Sequence, residues 1–285
     1  MRFKNKVGII TGSSRGIGKA TAIELCQQGA KIVLNGRNQM RLFKTRDELL
    51  AMGFEVIALQ GDATSMADCE YVVEETIKAF GQLDFLVNNG SSTMNESFEN
   101  IEPAIYMNVF CSNSLGAVLP TMAALPYLKQ SKGSVLFISS LAGLHGMPTA
   151  SAYSSGKMAL TAFWQSLKIE LSHTGIHVGI CYLGFTENDA EKQMLTADGT
   201  LIPVPKRPAY LVKTQKQVAQ LIAKSIHYRK SRRIISFVGK VSAFIFRFFP
   251  KLALLIMVKS RQRSLEKKET MQASIKITKR KIKTI

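Results

Sequence analysis

The stretch KVGIITGSSRGIGKATAIELCQQGAKIVLNGRN, residues 6–38, carries the signal that sets the predicted fold. It predicts a buried strand over 7–11, a glycine-rich turn, a helix over 17–29 and a second buried strand over 31–35. Both strands are apolar runs without alternation, which is typical of a parallel sheet covered by helices on both faces. A strand, a turn and a helix leading into a parallel strand are the repeating unit of a doubly wound α/β fold.

The same alternation of strands and helices continues to about residue 239. We therefore expect an α/β protein with a Rossmann-type, doubly wound parallel sheet of seven strands and helices on both faces. The remaining strands are predicted over 55–60, 83–89, 134–139, 177–183 and 233–238, and the remaining helices over 39–52, 65–80, 101–130, 152–173 and 214–229.

The chain is expected to comprise a nucleotide-binding domain over 1–239 and a tail over 240–285 that is first hydrophobic and then basic. Within the domain, residues 184–213 are polar, contain prolines and are too long for a simple connection. Loops of that length are often functional, so we expect this one to cover a substrate.

Charge is distributed unevenly along the chain. The net charge is +18, but residues 224–285 hold 18 Lys and Arg against two acidic residues, so the rest carries only +2. The tail should therefore meet anionic partners, lipid headgroups before nucleic acid. Four scattered cysteines without a C-x-x-C pair predict free thiols in a reducing compartment. A strand predicted to begin at Val7 leaves no room for a signal peptide, so a cytoplasmic protein is expected.

The turn TGSSRGIG, residues 11–18, follows the first strand and opens the first helix. Glycines allow a backbone to approach a pyrophosphate closely, and the helix start offers N–H groups and a positive dipole end. The spacing is G-x-x-x-G-x-G. We expect cofactor contacts from Gly12, Ser13, Ser14, Arg15, Gly16, Ile17 and Gly18.

The end of the second strand bears on which dinucleotide binds. An acidic residue there would bind a ribose 2′-OH and repel a 2′-phosphate, but this chain has Asn35-Gly36-Arg37-Asn38. Arg37 with Arg15 of the turn therefore favours NADP(H) over NAD(H). The alternative is that both arginines are ordinary surface residues.

Tyr153 and Lys157 are the candidate catalytic pair. Four residues apart in a predicted helix, they share one face. An ammonium group near a phenol stabilises the phenolate and lowers its pKa, which brings the phenol closer to useful acid–base catalysis. Ser139 and Ser140 end the fifth strand, where ligands of open α/β sheets bind. A tyrosine and a lysine at this spacing are also common as a solvated surface pair.

Four motifs in order, TGSSRGIG, LVNNG, ISS and YSSGK, resemble those of the classical short-chain dehydrogenase/reductase family over roughly residues 4–239. The resemblance implies that Tyr153 is the acid–base and that Lys157 binds the nicotinamide ribose. It implies that Ser140 binds a carbonyl oxygen and that Asn108 supports a water chain to Lys157. The reaction would be hydride transfer between a nicotinamide and a ketone or secondary alcohol.

Two departures from the family pattern affect the expected cofactor geometry. Asn88-Asn89-Gly90-Ser91 stands where the family has Asn-Asn-Ala-Gly, and Leu183-Gly184 stands where it has Pro-Gly. Neither departure changes a residue that is predicted to take part in the chemistry. Beyond the glycine turn and Arg37, cofactor contacts are expected from Asn38, Asp62, Ala63, Asn88, Gly90, Tyr153, Lys157, Gly184 and Thr186.

The tail and one loop bear on the substrate. KVSAFIFRFFPKLALLIMVK, residues 240–259, is interrupted by Arg247, Pro250 and Lys251, which argues against a membrane span and for a kinked helix at a bilayer interface. A terminal helix docked on the body is the equal alternative. The sequence GFTENDAEK, residues 184–192, resembles a loop of 3-ketodihydrosphingosine reductases.

A long-chain keto-lipid is therefore the first expectation for the substrate, with steroid-like or other hydrophobic ketones second. His145 follows the serine strand and is a candidate for the substrate site. A catalytically idle nucleotide-sensing or nucleic-acid-binding protein of the same fold is the alternative of a different class. We expect no metal, no nucleic-acid partner, a homo-oligomer by analogy with the family, and peripheral membrane contact through 240–285.

Overall fold

The computed structural model describes residues 1–189, 191–205 and 212–263. Seven strands form one sheet in the order β3-β2-β1-β4-β5-β6-β9, and every neighbouring pair is parallel. The predicted seven-stranded Rossmann-type sheet is thereby confirmed. The strands are β1 Val7–Ile10, β2 Lys31–Gly36, β3 Val56–Gln60, β4 Phe85–Asn88, β5 Ser134–Ser140, β6 His177–Leu183, β7 Gln193–Leu195, β8 Leu201–Pro203 and β9 Arg232–Ile234.

Helices connect the strands and cover the sheet on both faces. Three of them begin at a polar cap: the side chains of Asn38, Ser65 and Thr214 accept hydrogen bonds from first-turn N–H groups. The helices are α1 Gly16–Gln27, α2 Gln39–Ala51, α3 Met66–Phe80, α4 Pro103–Asn113, α5 Leu115–Gln130, α6 Ser151–Glu170, α7 Gln215–His227 and α8 Phe237–Phe248.

The apolar strands supply both hydrophobic cores. Consecutive residues of a strand point to opposite faces, so Ile10 and Leu34 pack into one buried cluster while Ile9 and Val33 pack into the other. Trp164 of α6 lies in the second cluster. Burial on both faces explains why these strands show no polar alternation in the sequence.

The order of the strands reverses between β2 and β4, which both pair with β1. At such a switch point the connections leave in opposite directions and open a crevice at the carboxyl ends of the strands. The turns after β1 and β4 both lie at this crevice.

Three boundaries differ from the sequence prediction. The helix predicted over 101–130 divides at Ser114, whose φ of −119° and ψ of −74° leave the helical geometry. The strand predicted over 233–238 is only three residues of β9, because the Ser236 hydroxyl accepts from the Gly239 N–H at 3.0 Å and α8 begins there. The loop predicted over 184–213 contains the antiparallel ribbon β7–β8.

One helical stretch, Pro103–Gln130, meets the length and hydropathy of a membrane span among the described residues, with 44% of its window buried. It comprises α4 and α5, and Ala117, Ala124 and Leu128 pack into the second buried cluster. Such packing is typical of a helix that covers a sheet, so the match is weak evidence for a membrane span.

The chain divides into two compact units, Met1–Lys240 and Val241–Ile285. The described part of the second unit contains most of α8 and a further helix over 250–263. Pro250 is the first residue of that helix, a position at which the missing N–H removes no hydrogen bond of the helix. Where the sequence predicted one kinked helix, the structure has two helices that are separated at residue 249. Large apolar side chains of this unit are exposed at Val241, Phe244, Phe248, Phe249, Leu252, Leu254, Leu255, Ile256 and Val258.

We predict that His177 makes the fold sensitive to acid. The side chain is buried at the start of β6 with its Nδ1 3.1 Å from Ser134 Oγ, and burial lowers the pKa of the imidazole to about 4. The unfolded chain binds this proton near pH 6.5, so stability is full above pH 6.5 and is lost as pH falls towards 4. Because of this group, the free energy of unfolding measured in urea should be about 2 kcal/mol lower at pH 5 than at pH 7.

The His177→Gln variant should flatten that part of the pH dependence. His173 on the surface provides the control, since His173→Gln should leave the profile unchanged. Parallel profiles for wild type and His177→Gln would contradict the prediction.

Candidate active site

The glycine turn lies between β1 and α1, and its backbone packs closely against its neighbours. Gly12 and Gly16 have φ values of +61° and +57°, which favour glycine. A side-chain carbon on Gly12 would lie 2.8 Å from Gly90 Cα, so the turn touches the end of β4. The turn is therefore as tight as the sequence predicted, and anion binding by it stays a prediction.

Not every residue of the turn offers its side chain to a ligand. The buried Ser13 hydroxyl donates to Ile10 O at 2.7 Å and accepts from Asn35 N at 3.0 Å, which ties the turn to β2. Ile17 packs against the first buried cluster. The two residues therefore position the turn, and any contact that they make with a cofactor comes from the backbone.

The neighbouring residues Asn88 and Asn89 have different roles. Asn88 is buried, and its Nδ2 donates to Thr121 Oγ1 of α5 at 3.0 Å. Asn89 Nδ2 donates to Thr11 O at 3.1 Å and to Gly12 O at 3.0 Å. Asn89, which we did not predict as a site residue, is thus the residue that fastens β4 to the glycine turn; the Asn-Asn repeat was the only sequence signal.

The ends of β2 and β3 meet beside the glycine turn. Arg37 Nη1 lies 3.7 Å from Asp62 Oδ2, and Asp62 Oδ1 accepts from Thr64 N at 2.9 Å. Ala63 follows Asp62 at this edge. The Asn38 side chain accepts from Arg41 N at 2.9 Å and so serves as the cap of α2.

Lys157 is a buried ionisable group of the predicted catalytic set. Its side chain is 3% exposed, and Nζ donates to Ile138 O of β5 at 3.0 Å. Nζ lies 6.0 Å from the centre of the Tyr153 ring. Burial lowers the pKa of the ammonium group to about 8, so it remains mostly charged at pH 7.

Ser140 ends β5, and its hydroxyl accepts from Ala142 N at 3.3 Å while staying partly exposed. Ser139, by contrast, is buried. Tyr153 in the first turn of α6 is also half-buried. The side chains of Ser140 on β5 and Tyr153 on α6 are therefore both partly accessible. The hydrogen bond from Lys157 to Ile138 O joins these two elements.

Asn108 does not lie where the predicted water chain would need it. It is exposed on α4, whereas Asn113 of the same helix is 1% exposed. Asn113 packs against α6: a side-chain carbon on Gly156 would lie 2.7 Å from Asn113 Cβ. Its Nδ2 donates to Ser92 O at 2.7 Å. The structure thus brings Asn113, and not Asn108, beside the residue that precedes Lys157.

An apolar cluster surrounds the tyrosine. Met94, Val109 and Ala152 are buried, and partly buried Tyr153 and Leu195 pack against them. Leu195 belongs to β7, and its N–H donates to Thr93 O at 2.9 Å. The loop over 184–213 therefore contributes apolar surface next to the tyrosine.

The same loop reaches the glycine turn. Its base is closed by hydrogen bonds from Glu187 N to Lys213 O and from Lys213 N to Phe185 O, with Thr186 between them. Gly184 precedes this base and lies against Ser236. Further along, the Asp189 carboxylate lies 3.3 Å from Arg15 Nη1. Residues 206–211 of the loop lie outside the described residues.

His145, a candidate for the substrate site, is buried, and its Nδ1 lies 3.3 Å from Gly146 O. Burial lowers the pKa of its imidazole. Within the described ranges, no three His, Cys, Asp or Glu side chains are grouped to hold a metal ion.

Comparisons with known proteins identify the family of the chain. A family model described as short chain dehydrogenase matches residues 6–198. The chain is 37% identical over 199 residues to 11-beta-hydroxysteroid dehydrogenase-like 4A of Arabidopsis thaliana, covering 69% of this chain and 66% of the relative. It is 36% identical over 200 residues to 11-beta-hydroxysteroid dehydrogenase 1A of the same plant, covering 69% and 57%. The match thus spans less than two thirds of either relative.

Two solved structures share the fold. A short chain dehydrogenase/reductase from Burkholderia phymatum in complex with NAD aligns with a TM-score of 0.77 at 20% identity, covering 88% of this chain and 96% of that one. An alcohol dehydrogenase from the archaeon Thermococcus sibiricus complexed with 5-hydroxy-NADP aligns with a TM-score of 0.69 at 24% identity, covering 80% and 94%. At these identities the likeness shows the fold alone.

We predict that Asn113 and Asn108 differ sharply in their effect on stability. Asn113→Ala removes a buried amide and leaves Ser92 O without its donor, which should cost about 1–3 kcal/mol. Asn108→Ala changes an exposed side chain and should stay within about 0.5 kcal/mol of wild type. Urea unfolding of the two variants tests the pair, and equal losses would contradict the assignment.

Proposed function

The chain belongs to the short-chain dehydrogenase family, and on that premise we propose that it is an NADP(H)-dependent oxidoreductase that interconverts a ketone and a secondary alcohol on a hydrophobic substrate. The observation that carries the proposal is the placement of Tyr153, half-buried in an apolar cluster and 6.0 Å by its ring centre from a buried ammonium group. A proton donor, a charge that favours its phenolate and an apolar surface for the substrate thus adjoin one another.

The residues at the crevice fit a nicotinamide dinucleotide. A side-chain carbon at Gly12 would meet the Gly90 backbone at the end of β4, so the turn packs closely there, and its backbone leads into the start of α1, where a pyrophosphate is favoured. We propose that Asp62 and Ala63, beside the glycine turn, would contact the adenosine half and that Lys157 would contact the nicotinamide ribose. The nicotinamide, when bound, supplies or accepts the hydride.

In the direction of reduction, the chain's own groups handle the carbonyl oxygen. The Ser140 hydroxyl can donate a hydrogen bond to that oxygen, which orients it towards the tyrosine. The Tyr153 hydroxyl then gives its proton to the same oxygen, and the nearby Lys157 ammonium stabilises the phenolate that remains. Oxidation of an alcohol runs the same proton transfer backwards.

NADP(H) is the proposed cofactor because Arg15 and Arg37 lie at the crevice and no carboxylate ends β2. The related solved structures hold NAD in one case and an NADP derivative in the other, so the choice depends on these residues.

For the substrate, the names of the curated relatives favour a steroid-like or other lipophilic ketone over the 3-ketodihydrosphingosine type that we placed first from the loop sequence. The apolar cluster with Tyr153 and Leu195 is compatible with a rigid hydrophobic ring system as well as with a chain. The steroid-like class is therefore the one we now propose.

We further propose that the domain over 1–239 carries this chemistry and that residues 240–285 contact a membrane surface. The support is the exposed apolar surface of the two short helices together with the basic charge of the tail. A cytoplasmic location and a homo-oligomer stay predictions.

We expect Tyr153→Phe to lower the rate of NADPH oxidation at least about 100-fold across a panel of steroid-like, sphingoid and small aromatic ketones, because the proton donor is lost. NADPH binding, followed by its fluorescence, should be retained. Tyr106→Phe is the control, since Tyr106 lies in the same cluster but bonds to Ser155. Unchanged turnover in Tyr153→Phe would refute the mechanism.

We expect the full chain to float with vesicles of phosphatidylcholine and phosphatidylserine and to be released by high salt, because the attraction is partly electrostatic. Replacing Phe244 and Leu255 by Asp should abolish flotation. Ile169→Asp, which introduces one carboxylate at an exposed apolar residue of α6, should leave it intact. Flotation that survives the tail substitutions would argue against the proposed contact.

A further inference from the structure

Thr149 has a backbone conformation that its own side chain disfavours. Its φ is +62°, in a region that β-branched residues avoid because the branched carbon crowds the backbone. The residue lies two positions before α6 and four before Tyr153, in the loop that leads from β5 to that helix. Strained backbone of this kind persists only where the surrounding contacts enforce it, and it is concentrated at functional sites.

The contacts of Thr149 explain how the strained conformation is held. The hydroxyl lies 2.6 Å from Pro148 O and also within hydrogen-bonding distance of Asn95 Oδ1. The carbonyl oxygen of Thr149 accepts a hydrogen bond from Glu96 N at 2.7 Å. These contacts join the loop before α6 to residues 93–97, which we call the wall segment.

The wall segment is held on two sides. Thr93 O accepts from Leu195 N of β7 at 2.9 Å, and Glu96 N donates to Thr149 O. Met94 lies between these two points, is 4% exposed and belongs to the apolar cluster against which Tyr153 packs. Thr149 therefore fixes one side of the surface that adjoins the tyrosine.

The same loop also determines where α6 begins. Among the described residues, Ala150 as N-cap gives this helix no side-chain hydrogen bond. The loop is instead tied to the first turn by Met147 N, which donates to Ser154 Oγ at 3.1 Å. Ser154 adjoins Tyr153, so the strained residue lies in the short stretch that sets the position of the tyrosine.

We propose that Thr149 is a positioning residue: its left-handed backbone holds the wall segment and the first turn of α6 at the spacing that places the Tyr153 hydroxyl against the substrate. The proposal rests on the proposed function, since it specifies how the proton donor is placed. Thr149 acts through Met94 and Tyr153. A displacement of about 1 Å from the productive geometry is enough to slow a reaction severely.

The test compares two variants that both remove the hydroxyl. Thr149→Val keeps the branched shape without the hydrogen bonds, so the backbone should relax to negative φ and turn the carbonyl away from Glu96 N. Thr149→Gly adopts positive φ without crowding and should keep that carbonyl in place. We expect Thr149→Val to lower kcat for ketone reduction about 10- to 100-fold with the Kd of NADPH unchanged. Thr149→Gly should retain most of the turnover.

Lys132→Val is the matched control. Lys132 has a φ of +48° and precedes β5 at the end of that strand opposite Ser140. A β-branched side chain there should lower the urea midpoint of unfolding, as in Thr149→Val, and leave kcat unchanged. An equal loss of kcat in Thr149→Val and Lys132→Val, or in Thr149→Val and Thr149→Gly, would overturn the positioning role.

A second measurement does not depend on turnover. With methionine methyl groups labelled with ¹³C, the NMR signal of Met94 is the one that Met94→Leu removes. Thr149→Val should shift this signal, whereas Thr149→Gly and Lys132→Val should leave it in place. An unmoved signal in Thr149→Val would overturn the inference. If wild type oxidises NADPH with no ketone, the proposed function fails, and the Met94 signal still decides whether Thr149 positions the wall segment.

Discussion

The backbone of the glycine turn passes within van der Waals distance of the end of β4, where Gly12 meets Gly90. A side chain at Gly12 would push the two strand ends apart, and the Asn89 amide holds them together through Thr11 O and Gly12 O. The crevice of a doubly wound sheet opens at this point because the strand order reverses here. The glycine turn and the end of β4 are therefore fixed relative to each other by this contact.

The parallel sheet and the glycine turn could be predicted from the sequence because both depend on the chemistry of neighbouring residues. Apolar runs without alternation predicted a parallel sheet, and buried pairs such as Ile9 and Ile10 on opposite faces show the physical reason. The glycine spacing predicted a sharp turn, and the positive φ of Gly12 and Gly16 shows why glycine is needed there. Both signals are readable because the cause, side-chain polarity or the absence of a side chain, lies in the residue itself.

The sequence could not show which face of a helix becomes buried by a distant element. Asn108 and Asn113 stand five residues apart on α4, which turns their side chains about 140° from each other. Only the approach of Gly156 on α6 determines that Asn113 is the buried one. The attraction of Arg15 for Asp189 is of the same kind: the residues are 174 positions apart, and composition alone predicted only a long polar loop.

The hydrogen bond from Lys157 Nζ to Ile138 O joins α6 to β5 across the interior. The group that we propose for chemistry is therefore also a brace of the scaffold. A shorter side chain would lose both the hydrogen bond and the position of the charge near Tyr153. Replacing this lysine would therefore affect the stability of the fold together with the proposed chemistry. The apolar residues around the tyrosine are positions where substrate preference can change without that double loss.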